Sequence, residues 1–552
     1  MNFLIKIYRN FSKKEKLLFI VSFLVFLLSS VIWTANFFLE KTVLAAVSGG
    51  EYVEGVVGQP SFINPILSVP GGVDSDINEL IFSRLVDLSD SVKMSNNGRV
   101  WDIRLKADIF WDDKQPITSQ DIDFTIKKIQ NGDTQSPLES MWRGAQTEVI
   151  SKLEIKISLS EPYFFFDETL KNLMIVPGNI FKGTTAANIK ISDYNLEPTG
   201  NGPFKYQSFK KEKSGFISEY KFVRNEAYFG KKPYIDSVVF KFYKSEDELI
   251  DAFNSGEVNG FGGLSPKNVG KISLNSQIFN LMMPRYYAVF FNSYAQKNLA
   301  SKNVRMALDY ATDKKKITDE VFNGNAVVAD GPIVLGMNGY DPKVSSESVF
   351  SLEKAAGVLD NDGWKIGEDG VRQKTVKKET FRLEFNLVSP DVQFLKDTAN
   401  IIASDWTKIG VKLNVLTKSS EETDEIIKTR NYEMIIFGNS FTSYTNPDLS
   451  SFWYSSQKFY PGLNLSLYEN KTVDNLIEIS RETLNDSKRQ SSLSSLQSLI
   501  VGDQPAVFLF SPDYIYVSKP QLEGFEEDEI NSASDRFKNI ENWYIKTARV
   551  FK

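Results

Sequence analysis

The chain has 552 residues, 42% of them hydrophobic and 13% aromatic, enough apolar material for large cores and for two or three domains. A formal charge of −6 and a pI near 5.3 argue against a surface for nucleic acid or for anionic membranes, both of which reward clustered Lys and Arg. The chain has neither cysteine nor histidine, which excludes disulfides, thiol nucleophiles, Ser-His-Asp triads and His- or Cys-based zinc sites; carboxylate-only catalysis, Ser-Lys pairs and oxygen-ligated metals stay open.

Lys6, Arg9, Lys13, Lys14 and Lys16 precede Leu17–Leu39, an apolar run of about 23 residues, the length that spans a bilayer. The basic flank predicts residues 1–16 in the cytoplasm, residues 17–39 in the membrane and the remainder outside. A cleaved signal peptide is the rival, since Val43-Leu44-Ala45 offers small residues, but the run exceeds an ordinary signal core, so the expectation is a retained single-pass anchor. A lipid-modified cysteine is impossible, and a buried core helix fits poorly with the basic flank. Residues 40–57 read as a spacer.

Beyond it, strand-like and helix-like segments alternate without internal repeats. Trp101, Ile103 and Leu105 alternate with charged residues, predicting a half-buried strand, followed by a turn at Asp112-Asp113-Lys114. Thr118 and Asp121 have capping-box spacing, and Ile122, Ile126 and Ile129 form the apolar face of the helix they open. Val304, Leu308 and Ala311 share another helical face; Ile401, Ile402, Trp406 and Ile409 lead into an alternating strand at Val411, Leu413 and Val415. Arg305 and Asp309, four apart, are expected to pair with each other or with solvent. Ala506–Phe510 is a short apolar run predicting a buried strand, one that suggests a return of the chain to an earlier domain. The mixed order implies α/β layers.

Several segments then carry a resemblance. They are Ile77–Val86, Phe110–Ile126, Pro198-Thr-Gly-Asn-Gly-Pro-Phe204, Arg224-Asn-Glu-Ala-Tyr-Phe-Gly-Lys-Lys-Pro233, Ser255-Gly-Glu-Val258, Phe291-Asn292, Asn303–Leu308 with Tyr310, Ala311 and Asp313, Leu465–Tyr468, and Val473–Leu476. In wording, order and spacing, from about Gly58 to Val517, they resemble the family 5 extracellular solute-binding proteins, the oligopeptide- and dipeptide-binding class of ABC importers. Most of these residues have structural roles: Gly200, Gly202 and Pro203 read as a tight turn in which glycine supplies unusual φ values, and Tyr228 and Phe229 as aromatic pins of a loop.

The resemblance implies a two-lobed, Venus-flytrap α/β fold of the periplasmic-binding-protein type with an extra inserted domain. The implied boundaries are a discontinuous lobe I (58–95, 196–284 and 505–552), an inserted domain II (96–195) and a lobe III (285–504). It implies a monomer that closes on a peptide-like solute and hands it to permease subunits, with no cofactor, no metal and no nucleic acid. A sensory or chaperone-like ectodomain and a binder of non-peptide solutes are the alternatives; a carboxylate-dependent hydrolase would need two facing acids in the cleft.

Peptide-binding members hold the ligand largely by backbone hydrogen bonds. The resemblance places Val69, Pro70, Gly71 and Gly72 on the cleft wall of lobe I, with an ordinary surface turn as the bland alternative. It also places an aspartate four residues before a proline for the ligand's ammonium. Here that proline is Pro447 and the position is Ser443, so the carboxylate is missing, and Asp448 could not replace it without rebuilding the loop. Asn439, Phe441, Tyr444, Trp453 and Trp142 complete the candidate ligand-binding residues, against a competing role in core packing.

Other signals fail. Gly260-Phe-Gly-Gly263 lacks the third glycine of a dinucleotide fingerprint, and Asp360-Asn-Asp-Gly363 lacks the first Asp and last Glu of a calcium loop.

Overall fold

The computed structural model describes residues 11–69, 71–345 and 349–551. It opens with the helix Lys13–Lys41, capped by a reciprocal pair between Ser12 and Glu15, and none of its residues is buried. An amphipathic soluble helix would bury a stripe; this one is apolar all round and covered by nothing.

Two large sheets follow. The first has seven strands in the order Gln277–Leu281, Tyr514–Ser518, Gly260–Gly262, Glu51–Val57, Ser237–Tyr243, Ile217–Arg224 and Phe204–Lys211. Its centre is parallel, with Glu51 opposite Ser237 and Val57 opposite Tyr243. The run Val238–Phe240 is buried, as expected for a strand covered on both faces. One face carries a core that includes Tyr52, Phe240 and Trp543, and the other is sealed by the helix Glu246–Asn254 through Leu249, Ile250 and Phe253.

The second sheet has six strands in the order Ala326–Val328, Ala506–Pro512, Arg285–Phe291, Met434–Ser440, Glu384–Pro390 and Lys412–Lys418. Separate apolar clusters cover its two faces. On one lie Val304, Leu308, Ile402 and Trp406, the helical faces read from the sequence. Ala506–Pro512 is buried throughout, as its composition predicts, but it does not return to the earlier body: it pairs with Arg285–Phe291 inside the second sheet. The return comes one strand later, at Tyr514–Ser518, so the boundary expected at 505 lies at Asp513.

A four-stranded antiparallel sheet (Ser89–Ser95, Val100–Leu105, Glu154–Ser158, Gln146–Ser151) sits beside the first body. Its strand Val100–Leu105 buries Trp101, Ile103 and Leu105 and exposes their neighbours. The helix Ser119–Gln130 opens with the expected capping box and lays Ile122, Ile126 and Ile129 into the same continuous core as the first sheet.

Two local readings change. Gly200 and Gly202 do not have positive φ; a Cβ at either would lie within 3 Å of the Ile81 carbonyl oxygen (2.2 and 2.7 Å). Their role is close approach, because Asn201 N and Gly202 N donate to that carbonyl at 2.9 and 2.6 Å and stop the helix Val73–Ile81. Arg305 does not pair with Asp309. It donates to the carbonyls of Leu299, Ala300, Asp503 and Gln504, while Asp309 meets Lys314 at 3.1 Å.

Candidate ligand-binding cleft

The chain passes between the two large sheets at two places. Leu281 ends a strand of the first and Arg285 begins one of the second; Pro512 and Tyr514 are the equivalent pair on the way back. Arg285 ties the crossings together, donating from Nε to the Pro512 carbonyl (3.0 Å) and from Nη2 to the Asp513 carbonyl (3.2 Å). Burial lowers the Arg285 pKa and raises that of Asp513, against the attraction between them. Two short crossings between well-packed bodies form a hinge.

On the first body, a cavity of about 360 Å³ opens where strand ends and loops meet: Gly55–Val57, Gly71–Val73 and Phe261–Gly263, with Tyr514 at the hinge. A Cβ on Gly262 would stand 2.0 Å from the Tyr514 hydroxyl, so the ring lies flat against that strand only because residue 262 has no side chain. The hydroxyl makes no hydrogen bond among the described residues, and burial pushes its pKa up, keeping it a neutral phenol.

The charges at the cavity are already paired. Arg536, fully buried, gives its guanidinium to Asp76 (2.9 and 2.6 Å), to Glu54 (3.2 and 3.0 Å) and to the Ala533 carbonyl (2.7 Å). Burial raises the Glu54 carboxyl against the pull of Arg536, and the Tyr516 hydroxyl donates to it at 3.0 Å. Glu246 accepts from the Ser265 amide (2.6 Å) and hydroxyl (2.7 Å). What the cavity leaves available is backbone, apolar surface and one phenol, a lining suited to a ligand held by its own backbone.

The second body contributes the segment after Met434–Ser440. Tyr444 is almost fully buried, its amide donates to Asn531 Oδ1 of the first body (3.2 Å), and a Cβ on Gly336 would stand 3.4 Å from its ring. Ser443 is buried, and its hydroxyl pairs with Thr445 Oγ1 at 2.8 Å. Phe441 packs on the Tyr286 ring, whose hydroxyl receives Asn439 Nδ2 (3.4 Å) and Trp453 Nε1 (3.1 Å). Asn439, Phe441 and Trp453 thus brace the loop from beneath.

The structure therefore brings only some of the sequence-derived candidates to one place. Gly71 and Gly72 line the cavity, Val69 is exposed and not part of the lining, and Pro70 lies outside the described residues. Trp142 is buried in the core beside the four-stranded sheet, edge-on to Phe166 at 5.3 Å. Sequence reasoning missed Asp76, Glu246, Arg285, Tyr514 and Arg536. For Tyr514 the signal was present in its position just past the last apolar run.

Contacts also cross between the four-stranded unit and the second body. The Tyr163 hydroxyl donates to Asp448 Oδ2 (3.4 Å), and Arg481 meets the same carboxylate at 3.4 Å while lying 5.0 Å over the Tyr163 ring. Burial and Asp448 push the Tyr163 pKa up to about 12. Arg489 stacks 3.5 Å over Phe164, and Phe164 N donates to the Arg481 carbonyl at 2.7 Å. Asp448 is thus committed to this contact and does not serve as a displaced partner for Ser443. No cluster of acids suited to a metal exists among the described residues.

The comparisons agree with this geometry. Residues 86–461 match the model of the bacterial extracellular solute-binding proteins, family 5 (middle). The oligopeptide-binding protein AppA of Bacillus subtilis is 25% identical over 536 residues, covering 93% of this chain and 94% of its own. The crystal structure of the ABC transporter substrate-binding protein CtaP of Listeria monocytogenes superposes with a TM-score of 0.78 at 23% identity, over 90% of this chain and all of that one. The structure of Bacillus subtilis AppA with a nonapeptide gives a TM-score of 0.71 at 23% identity, over 91% of this chain and 100% of that one.

Proposed function

Because the chain belongs to the bacterial extracellular solute-binding proteins of family 5, we propose that its solute is enclosed between the two large sheets, with Gly71, Gly72 and Tyr514 on one wall and the Ser443–Tyr444 segment on the other. The protein works outside the cytoplasm, captures peptide-like solutes for an ABC-type import permease and performs no chemistry on them. Ligand binding energy favours the closed arrangement, in which both walls are engaged and the contacts from Tyr163 and Phe164 to Asp448, Arg481 and Arg489 are made. The four-stranded unit is the inserted third domain, and the helix Lys13–Lys41 is a retained single-pass anchor.

The observation that carries this reading is the lining of the cavity, whose charged groups already have partners, Asp76 with Arg536 and Glu246 with Ser265, and leave backbone and a phenol for the ligand. Such a site accepts varied side chains while fixing an extended main chain. At position 443 a hydroxyl pair stands where a carboxylate would hold an ammonium. The preferred solute therefore carries no free α-amine, being blocked or not a peptide.

Native mass spectrometry of the full chain, extracted in mild detergent without denaturation, tests both statements. A ladder of unmodified peptides supports peptide capture and refutes the argument from Ser443. Blocked peptides or a single non-peptide mass supports that argument. A protein that emerges empty and takes up nothing from a defined peptide library refutes the proposed site.

A further inference from the structure

We propose that the two-stranded ribbon made by Thr42–Ala46 and Thr547–Phe551 seats in the headgroup layer of the bilayer, so that the external domain is held to the lipid at two chain segments. The proposal rests on reading Lys13–Lys41 as a membrane span. The strands are antiparallel, with Thr42 opposite Phe551, Val43 opposite Val550, Leu44 opposite Arg549 and Ala45 opposite Ala548. Opposed residues share a face and successive pairs alternate, so one face is Val43, Val550, Ala45 and Ala548, and the other presents Leu44 and Phe551.

The first face is apolar; the second sets Leu44 and Phe551 beside Thr42, Arg549, Ala46 and Thr547, and on it only Thr42 is buried, so the large apolar side chains of both faces stay open. Leu44 is 63% and Phe551 69% exposed, and Val43 and Val550 about two-fifths. An isolated pair of strands is marginal in water, so a ribbon this apolar needs a second medium. The adjoining helix says which medium. Leu17–Leu39 rises about 34 Å at 1.5 Å per residue, slightly more than a hydrocarbon core of about 30 Å, so Thr42 emerges among the headgroups. The ribbon is continuous with that exit. The Thr42 hydroxyl donates to the Phe38 carbonyl (2.5 Å), Arg549 donates to the Thr42 hydroxyl (3.2 Å), and Phe551 meets Phe38 edge-on at 5.9 Å. Lys41, Lys546 and Arg549 place cations beside it, as anionic headgroups favour.

The absence of cysteine makes the test clean. Single variants Leu28→Cys (mid-helix), Leu44→Cys, Phe551→Cys and Glu368→Cys (an exposed site on the second body) of the full chain are labelled with an environment-sensitive fluorophore and reconstituted in phosphatidylcholine–phosphatidylglycerol vesicles. The expected result is blue-shifted emission at 28, 44 and 551, quenched at 28 by deep nitroxide lipids and at 44 and 551 by headgroup-proximal ones, with neither effect at 368. Water-like emission at 44 and 551 beside a quenched label at 28 overturns the ribbon proposal and leaves the anchor standing. Blue-shifted but unquenched ribbon labels, as a second copy covering the ribbon would give, also overturn it. An unquenched label at 28 removes the anchor and the proposal together.

Discussion

Replacing Arg536 with methionine removes a buried cation and strands two carboxylates. The guanidinium uses all its N–H groups, on Glu54, Asp76 and the Ala533 carbonyl, and stacks 4.2 Å over Phe537. Glu54 sits on a central strand, Asp76 on the helix Val73–Ile81, and Arg536 on the turn Ala533–Phe537, so one side chain joins three elements around the ligand cavity. Removing one partner of such a group costs about 3–5 kcal/mol, because the remaining charges stay buried without compensation. That is a large share of the roughly 5–15 kcal/mol that holds a typical domain. Urea unfolding followed by tryptophan fluorescence measures it, with Trp543 reporting directly because its ring lies 5.5 Å from that of Tyr52. The pH dependence has a definite sign. Burial already raises the Glu54 carboxyl, and without the cation it rises further, so the deficit of the variant is largest at neutral pH and shrinks as acid protonates the carboxylate. Arg536→Met combined with Glu54→Gln and Asp76→Asn is expected to recover most of the loss. A single-variant deficit under about 1 kcal/mol, or a triple variant no more stable than the single, would refute the assignment of the energy to stranded charge.

Phe164→Ala removes the surface on which Arg489 stacks, a desolvated cation–π contact of about 2 kcal/mol, so the closed arrangement loses about 30-fold in population relative to the open one. Small-angle scattering of the ligand-bound protein checks this, and an unchanged fraction closed speaks against the contact as a latch. Tyr514→Phe deletes only the cavity's free hydroxyl and is expected to weaken solute binding about tenfold with no change in melting temperature; calorimetry with the solute recovered from the protein decides. Gly262→Ala places a methyl on that same hydroxyl and is expected to lose both binding and stability, whereas equal behaviour to wild type would remove Tyr514 from the wall. Asp112, half-buried against Gly200, has its pKa raised to about 6 by burial. Its neutral form contributes stability that is fully present below the ordinary value near 3.8 and is lost as pH rises through about 6. Asp112→Asn is therefore expected to raise stability at pH 7 and flatten the profile between these values, and a profile of unchanged slope would argue against it.

What the sequence made legible was whatever depends on residues close along the chain. Trp101, Ile103 and Leu105 announce a strand because alternate side chains share a face, and Ile122, Ile126 and Ile129 announce a helix face for the analogous reason. The helix Lys13–Lys41 is legible because an apolar run without polar relief has few other places to go. Ala506–Pro512 marks where this stops. Its composition gives burial correctly, but burial is the same in either sheet, and only pairing with Arg285–Phe291 decides which body owns it. The cavity lies further beyond reach. Glu54, Asp76 and Arg536 are far apart in sequence, and each alone has the appearance of a solvated surface charge. The tryptophans fail in the opposite direction: Trp142 and Trp453 advertise themselves as aromatic walls, yet large apolar rings are drawn to the interior by the area they bury, and both end in cores. Beside the partnered Asp76, Glu246 and Arg536, the cavity is lined by glycines, strand ends and a phenol beside the hinge. If the cavity binds main chain as proposed, it does so largely with main chain, so its side chains carry little of its signature, while the residues that hold it in shape carry strong signatures of packing. That division explains why the fold can be read from local patterns while the solute must be read from the molecule itself.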